Sequence, residues 1–218
     1  MNAVEQWSRA NKLQLNADKC KEMIIDFKIF KHKFNALSVN SKDLQLVDHA
    51  KVLGITISNT LQWNYHISEV IKKANKRLYF LILLKRARVP INDMIIFYST
   101  CIRPVLEYCA PLYRHALPAY LSDDLEIIQK RALSIISPGP AHHVNLGLHS
   151  ISSLKDTRSE QYSKLFQSVI DNDDHKLYHL LPPKHISKHN LRHQRQFHLP
   201  KIQTNRFKNT FIQSMANR

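Results

Sequence analysis

The chain has 218 residues, of which 44% are hydrophobic, so it is long enough for one or two small domains with an apolar core. Its formal net charge of +15 favours a polyanionic partner, above all nucleic acid, while a merely basic soluble protein remains the alternative. Only 3 glycines argue against glycine-rich phosphate loops. Ser-His-Asp order, a nucleophile elbow and a dinucleotide fingerprint are all lacking in the sequence.

The cysteines and the apolar runs bear on the cellular compartment. Cys20, Cys101 and Cys109 form no close Cys-x-x-Cys pair, which is typical of a reduced intracellular setting. The first residues are polar and predict no secretory signal. The longest apolar run, residues 78–84, is far shorter than the ~20 residues that a membrane span needs. We therefore expect an intracellular protein without a membrane partner.

The first segment, to about residue 63, predicts one helix and several short strands. Val4 and Trp7 share one helical face. Residues 22–27 predict a strand, and residues 51–57 predict the best strand of the chain because β-branched side chains alternate there. Edge strands are indicated between them by alternating apolar residues, namely Leu37, Val39, Leu44, Leu46 and Val47.

A long amphipathic helix is predicted from Asn64 until Pro90 ends it. Basic side chains occupy the face opposite the apolar stripe, and we call Lys72, Lys73, Lys76 and Arg77 the basic row. Apolar residues recur every three or four positions along the stripe: Ile67, Val70, Ile71, Ala74, Leu78, Leu81 and Ile82.

Three further helices follow in the sequence. The first covers residues 92–108, and Pro104 is expected to kink or split it. Ser122, followed by two aspartates, predicts the N-cap of the next helix, which residues 137–140 stop with two prolines and a glycine. A last helix is predicted over residues 153–170.

The C-terminal segment differs in composition from the rest. Residues 175–218 contain nine Lys and Arg and no Asp or Glu, which predicts a basic, largely disordered tail. Its histidines include pairs with i, i+4 spacing, which could hold zinc on a helix. Two prolines interrupt that helix and no cysteine lies near, so we favour a polar tail and expect no metal site. The spaced histidines are His175, His179, His185, His189 and His193.

Five short motifs occur in order along the chain, and together they resemble the C-terminal part of non-LTR (LINE-type) retrotransposon reverse transcriptases. The resemblance covers about residues 2–137. The motifs are W…N-x-L-x-L-N-x-x-K-C at 7–20, K-V-L-G-I at 51–55, L-x-W-x-x-H-I at 61–67, R-P-V-L-E-Y at 103–108 and L-x-x-I-Q-K-R-A-L at 125–133.

The resemblance implies an α+β fold that is mostly α. Residues 1–62 would be the end of a palm domain, with one helix and short strands. Residues 63–172 would form a helical domain like a polymerase thumb, and residues 173–218 the basic tail.

The resemblance also implies roles for single residues. Lys19 would lie near the leaving pyrophosphate as a vestigial general acid; the alternative is a solvated turn lysine. Gly54 would allow a phosphate backbone to approach a strand like the primer grip, and the alternative is a glycine in a β-turn or bulge. The basic row would meet phosphates of a template–primer duplex, or else be an ordinary charged helix face.

Catalysis is not expected from this chain alone, because clustered carboxylates are needed to hold two metal ions. The adjacent aspartates at 123–124 and 173–174 lack the sequence context of a polymerase metal site. The implied function is a fragment of an RNA-directed DNA polymerase that binds RNA/DNA duplex, with no cofactor; a two-magnesium site is expected only in a full-length relative. The alternative is a non-catalytic helical protein, co-opted or remnant, with a protein partner.

Overall fold

The computed structural model describes residues 2–30, 32–138, 151–184, 197–208 and 210–216. The chain divides into two compact units, Met1–His66 and Ile67–Arg218, which we call the N-terminal and C-terminal units. The predicted fold class, α+β and mostly α, is confirmed. Among the described residues, no helix is both long and apolar enough to cross a membrane. The domain boundaries at 62 and 172 stay predictions.

The N-terminal unit holds one helix and three two-stranded pairings. Strand β1 pairs in parallel with β4, whereas β2 with β3 and β5 with β6 pair antiparallel. The strand predicted over residues 22–27 is wrong beyond its first residue, since β1 ends there. The elements are α1 (Asn2–Ala10), β1 (Lys21–Glu22), β2 (Ser38–Val39), β3 (Lys42–Asp43), β4 (Gln45–Leu46), β5 (His49–Val52) and β6 (Ile55–Ser58).

Residues 51–57 form a β-hairpin and not the single strand predicted from the sequence. Leu53 and Gly54 connect β5 to β6 with φ angles of 48° and 86°. A two-residue turn with positive φ at both positions matches the twist of an antiparallel pair, and glycine reaches such angles at low cost. The sequence predicts a single strand because β-branched residues flank the turn on both sides. Gly54 therefore lies in the turn of this hairpin.

The core of the N-terminal unit is small. Val39, Leu44 and Ile55 are buried, but Val4 and Trp7 are exposed, so the face they share on α1 is not a core face. Polar groups complete this core: the Thr56 amide donates to Nδ1 of the buried His66 at 3.4 Å, and the Leu37 amide donates to the Glu22 carboxylate at 3.0 Å.

The C-terminal unit is helical. Its longest helix, α2, has the predicted stripe, and Ile67, Val70, Ala74, Leu78 and Leu81 are buried along it. The elements are α2 (Asn64–Arg86), α3 (Ile91–Phe97), a π-helical turn (Tyr98–Ile102), α4 (Arg103–Glu107), α5 (Ala110–Tyr113), α6 (Ala119–Ile136), α7 (Leu154–Ile170), a 3₁₀ turn (Tyr178–Leu180), α8 (Asn205–Lys208) and α9 (Phe211–Ala216).

Pro104 splits the helix predicted over residues 92–108, as expected. The chain widens into the π-helical turn, where the Arg103 amide donates to the Tyr98 carbonyl. Pro104 then takes a place in the first turn of α4, where its fixed φ suits a helical backbone. The π turn therefore lets a proline follow in an almost continuous helical path.

The start of α6 differs from the prediction. Pro118 precedes the first residue of α6 and its fixed φ favours a helix start, so Ser122 lies one turn inside the helix and donates its amide to the Pro118 carbonyl at 3.1 Å. The Ser122 hydroxyl instead accepts from Arg158 at 2.8 Å. The start of α7 agrees with the prediction, since Ser153 caps it by accepting from the Asp156 amide at 3.1 Å.

Arg103 joins α4 to the beginning of α7. Its guanidinium donates to Glu107 at 2.8 Å, to the Ser152 hydroxyl at 3.0 Å and to the Thr157 hydroxyl at 2.6 Å. Arginine offers several donors in a rigid fork, which suits three acceptors at once. The conspicuous R-P-V-L-E-Y sequence is therefore used within the fold.

A second polar link runs through the buried Gln129 on α6. Tyr98 donates its hydroxyl to the Gln129 side chain at 2.7 Å, and Gln129 donates to the Ser152 carbonyl at 3.1 Å. Because buried polar groups need partners, this chain of bonds fixes how the π turn, α6 and the segment before α7 meet.

The described part of the C-terminal segment packs on α7. Phe197 and Met215 are buried in one cluster with Tyr162 and Phe166, and the Tyr162 hydroxyl donates to the Phe211 carbonyl at 3.1 Å. The expectation of a largely disordered tail did not anticipate this packing, which hydrophobic burial explains. Three of the spaced histidines, His185, His189 and His193, lie outside the described residues.

Candidate nucleic-acid interface

The basic row lies where the sequence predicted it, on the outer face of α2. All four of its side chains are exposed, while the opposite face of the helix supplies the core. The helix carries six basic residues and one acidic residue, Glu69. A strongly positive strip therefore runs along its solvent side, which attracts polyanions.

One member of the row is tied to the fold. The Arg77 guanidinium donates to the Cys101 carbonyl in the π turn, so part of its donor capacity is used inside the unit. Farther along α2, Lys85 donates to the Ile136 carbonyl at the end of α6, at 2.9 Å; a cation at a helix C-terminus is favourable. The three lysines of the row are thus the better candidates for an outside partner.

Two aromatic side chains on the same face were not anticipated. Tyr79 and Phe80 are 57% and 54% exposed, and Leu83, one turn farther on, is 38% exposed. The spacing of Lys72, Lys76, Tyr79 and Leu83 follows i, i+4, i+7, i+11, which sets them on one side of a helix. The same spacing is present in the sequence, but the neighbouring apolar residues make these aromatic side chains resemble part of the core stripe.

Lys19 and Gly54 occupy turns of the N-terminal unit. Lys19 is exposed and its amide donates to the Asn16 carbonyl at 3.1 Å, while Gly54 is in the β5–β6 turn. Within the described residues, no group of three or more His, Cys, Asp or Glu side chains could hold a metal ion. Asp123 and Asp124 are exposed on α6. The roles first assigned to Lys19 and Gly54 stay untested.

The strongly perturbed side chains lie inside the helical unit. Burial raises the pKa of Tyr113 to about 12 and also raises the pKa of Tyr98. Burial lowers the pKa of Arg158, and the nearby Glu126 carboxylate opposes that change. Each of these groups is packed between helices and has a structural explanation, so none of them indicates a catalytic surface.

An open cavity of about 700 Å³ lies beside α5, α7 and α9. Its lining is almost wholly apolar and includes no charged side chain: Cys109, Pro111, Leu112, Leu165, Leu177, Leu180, Thr210, Phe211 and Ile212. Ligand sites usually add a few convergent polar groups to an apolar wall. The cavity therefore gives a weaker indication of a binding site than α2 does.

Comparison with known proteins gives one similarity. Residues 63–103 match the family described as alkylated DNA repair protein alkB homolog 8, N-terminal. The match covers about a fifth of the chain, so it does not assign the chain to that family. It spans α2, α3 and the π turn. No curated protein and no solved structure matches the chain.

This similarity overturns the identification as a reverse transcriptase. It relates residues 63–103 to a family described as a DNA repair protein and gives no support for a retrotransposon polymerase. The predicted origin, function and transposable-element class are therefore wrong. The motif residues have structural explanations: Gly54 makes a turn, His66 accepts from a backbone amide, and Arg103 and Gln129 link helices. A nucleic-acid partner in general agrees with the similarity; a duplex or a protein partner gains nothing from it.

Proposed function

We propose that this protein binds nucleic acid through the outer face of α2, with the basic row holding phosphates. The observation that carries the proposal is that four cationic side chains are exposed on one helix beside a single acidic residue. Lysine and arginine contacts to phosphates supply affinity that does not depend on base sequence.

The geometry of α2 suits an extended polyanion. Lys72 and Lys76 are one helical turn apart, a rise of about 6 Å, and Lys73 lies beside them on the same outer surface. A strand running along the helix can present successive phosphates to these lysines. Since the lysine stems are flexible and the ammonium groups act as point charges, the surface tolerates different backbone shapes.

The family similarity supports the same helix. It covers the whole basic row, and the family is described as an alkylated DNA repair protein, which agrees with a nucleic-acid partner. The net charge of +15 adds a long-range attraction for the same class of partner.

The proposal is a binding role without catalysis and without a cofactor. Exposed lysine side chains can hold phosphates and need no metal ion to do so. An intracellular setting is also part of the proposal, supported by Cys20, Cys101 and Cys109, which are free cysteines.

The test replaces Lys72, Lys73 and Lys76 together by Gln and measures binding of labelled oligonucleotides by fluorescence anisotropy over a salt series. Each lost phosphate contact lowers the slope of log K against log salt by about 0.7–0.9, so the triple variant should lose roughly 2–3 units of slope. Arg77 is left unchanged because it also bonds to Cys101.

A matched control removes the same charge elsewhere in the C-terminal unit. Lys130, Arg131 and Lys164 are exposed on α6 and α7, and their joint replacement by Gln should leave most of the slope intact. Equal losses in both variants would mean that binding follows total charge and not the basic row. An unchanged slope in the α2 variant would refute the proposal.

A further inference from the structure

Tyr79 and Phe80 form an exposed aromatic pair next to the lysines of α2. Their ring centroids are 6.0 Å apart and the rings meet edge to face at 67°. Each ring therefore rests against its neighbour on one side and faces outward on another. Lys76 is three residues before Tyr79 and four before Phe80, positions that are adjacent on a helix surface.

Such a pair is unusual on a surface that is otherwise cationic. Large exposed apolar groups that sit together, bordered by polar residues, mark contact sites. A lysine side chain forms an ion pair with phosphate, and an aromatic ring stacks on another flat, apolar ring. A partner that satisfies both must carry a regular negative charge and accessible flat rings.

We propose that the α2 face binds single-stranded nucleic acid, with unpaired bases stacked on Tyr79 and Phe80 and their phosphates held by Lys72, Lys73 and Lys76. This inference rests on the proposed nucleic-acid function and names its substrate class. The lysines fix the path of the backbone, and the two rings select strands whose bases are free.

A duplex cannot use the rings in this way. Its bases are paired and already stacked on one another, so its surface offers phosphates and groove edges but no base face. Single strands present a face at every nucleotide, and stacking on aromatic side chains is tolerant of sequence. Charge complementarity favours nucleic acid over a protein partner, because three exposed lysines border the two rings.

The test compares Tyr79→Leu/Phe80→Leu with the unchanged protein. Leucine is also apolar and favours a helix, but it has no ring face on which a base could stack. The probes are labelled thymidine and uridine homopolymers of about 12 nucleotides, and a duplex with the same number of phosphates. We expect the affinity for both single strands to fall roughly tenfold or more, while the affinity for the duplex and the salt slope stay unchanged.

Two control variants make the result specific. Tyr79→Phe keeps the ring face, so its affinity for single strands should be well above that of the leucine variant. Tyr120→Ala removes an aromatic side chain of similar exposure from α6 and should change neither affinity. The far-ultraviolet circular dichroism of each variant confirms that the helices remain.

The outcomes separate the two proposals. If the triple lysine variant loses binding and the leucine variant does not, phosphate binding by α2 stands and single-strand selection is refuted. If the leucine variant loses single-strand and duplex affinity equally, selection is also refuted. If the leucine variant binds all probes normally but loses self-association in sedimentation experiments, the rings serve a protein contact and the inference fails.

Discussion

Replacing Glu126 by Gln should destabilise the C-terminal unit far more than an ordinary surface substitution. Arg158 is 2% exposed; its Nη2 donates to Ser122 at 2.8 Å and lies 3.4 Å from the Glu126 carboxylate. Its other terminal nitrogen, Nη1, has no hydrogen-bond partner among the described residues. The buried cation therefore depends mainly on the Glu126 carboxylate, with a smaller electrostatic contribution from Glu107.

The magnitude follows from this dependence. Removing one partner of a buried ion pair typically costs about 3–5 kcal/mol, because an uncompensated charge stays behind. Glutamine still offers an oxygen to Arg158 and to the Lys155 amide, which donates to Glu126 at 2.6 Å, so we expect about 3 kcal/mol. Arg158→Met should cost only about 1 kcal/mol, since Glu126 is 18% exposed and keeps its bond to that amide.

The double variant decides the argument. Once Arg158 is replaced by Met, Glu126→Gln should cost under about 1 kcal/mol, which gives a coupling energy of about 2 kcal/mol. Urea unfolding followed by circular dichroism measures each free energy, provided that the m-value is constant. Glu160→Gln, on the exposed side of α7, should stay within about 0.5 kcal/mol. Additive effects, or a cost below about 1 kcal/mol for Glu126→Gln alone, would show that Arg158 does not depend on this carboxylate.

Three further predictions use the same unfolding assay. Gly54→Ala should destabilise the β5–β6 hairpin by about 1–2 kcal/mol because the φ of Gly54 is 86°. Leu53→Asn should stabilise the hairpin by about 0.5–1 kcal/mol, because asparagine adopts a positive φ more readily than leucine. A stabilising Gly54→Ala together with a destabilising Leu53→Asn would contradict the turn assignment. Tyr98→Phe should cost about 1–3 kcal/mol, since it leaves the buried Gln129 without its 2.7 Å donor; a neutral result would show that water replaces it. Burial raises the pKa of Tyr113 from 10.0 to about 12. The stability that this side chain contributes is therefore complete below pH 10.0. It declines as the pH rises towards 12, because the tyrosine ionises at a lower pH in the unfolded chain than in the folded one. Tyr113→Phe should make that alkaline decline shallower, and an identical decline would show that other groups cause it.

The long helices were predictable because their signals are local and repeated. The apolar stripe runs from Ile67 to Ile82 within the 23 residues of α2, and α7 begins after a serine whose hydroxyl caps it. The basic row followed from the same periodicity. The exposure of Tyr79 and Phe80 could not be predicted from the sequence. An apolar side chain in an amphipathic helix is usually a core residue, and only the packing shows which ones remain exposed.

Other features depend on a choice between alternative local structures, which the sequence alone does not decide. Ser122 is a good N-cap by composition, but Pro118 starts α6 one turn earlier and leaves that serine to bind Arg158. The hairpin at Leu53 was not predicted, because a leucine with a positive φ is rare. The family identification failed for a related reason, since short motifs can consist of residues such as Arg103 that serve helix packing.

The packing of Phe197 and Met215 on α7 has a practical consequence for preparing the protein. A polypeptide shortened at residue 172, where composition changes, would lose the residues that cover Tyr162 and Phe166. Newly exposed aromatic surface of this kind drives aggregation. Low solubility of such a shortened chain would therefore reflect the loss of the residues that cover α7, and the 218-residue chain is the right starting material for binding experiments.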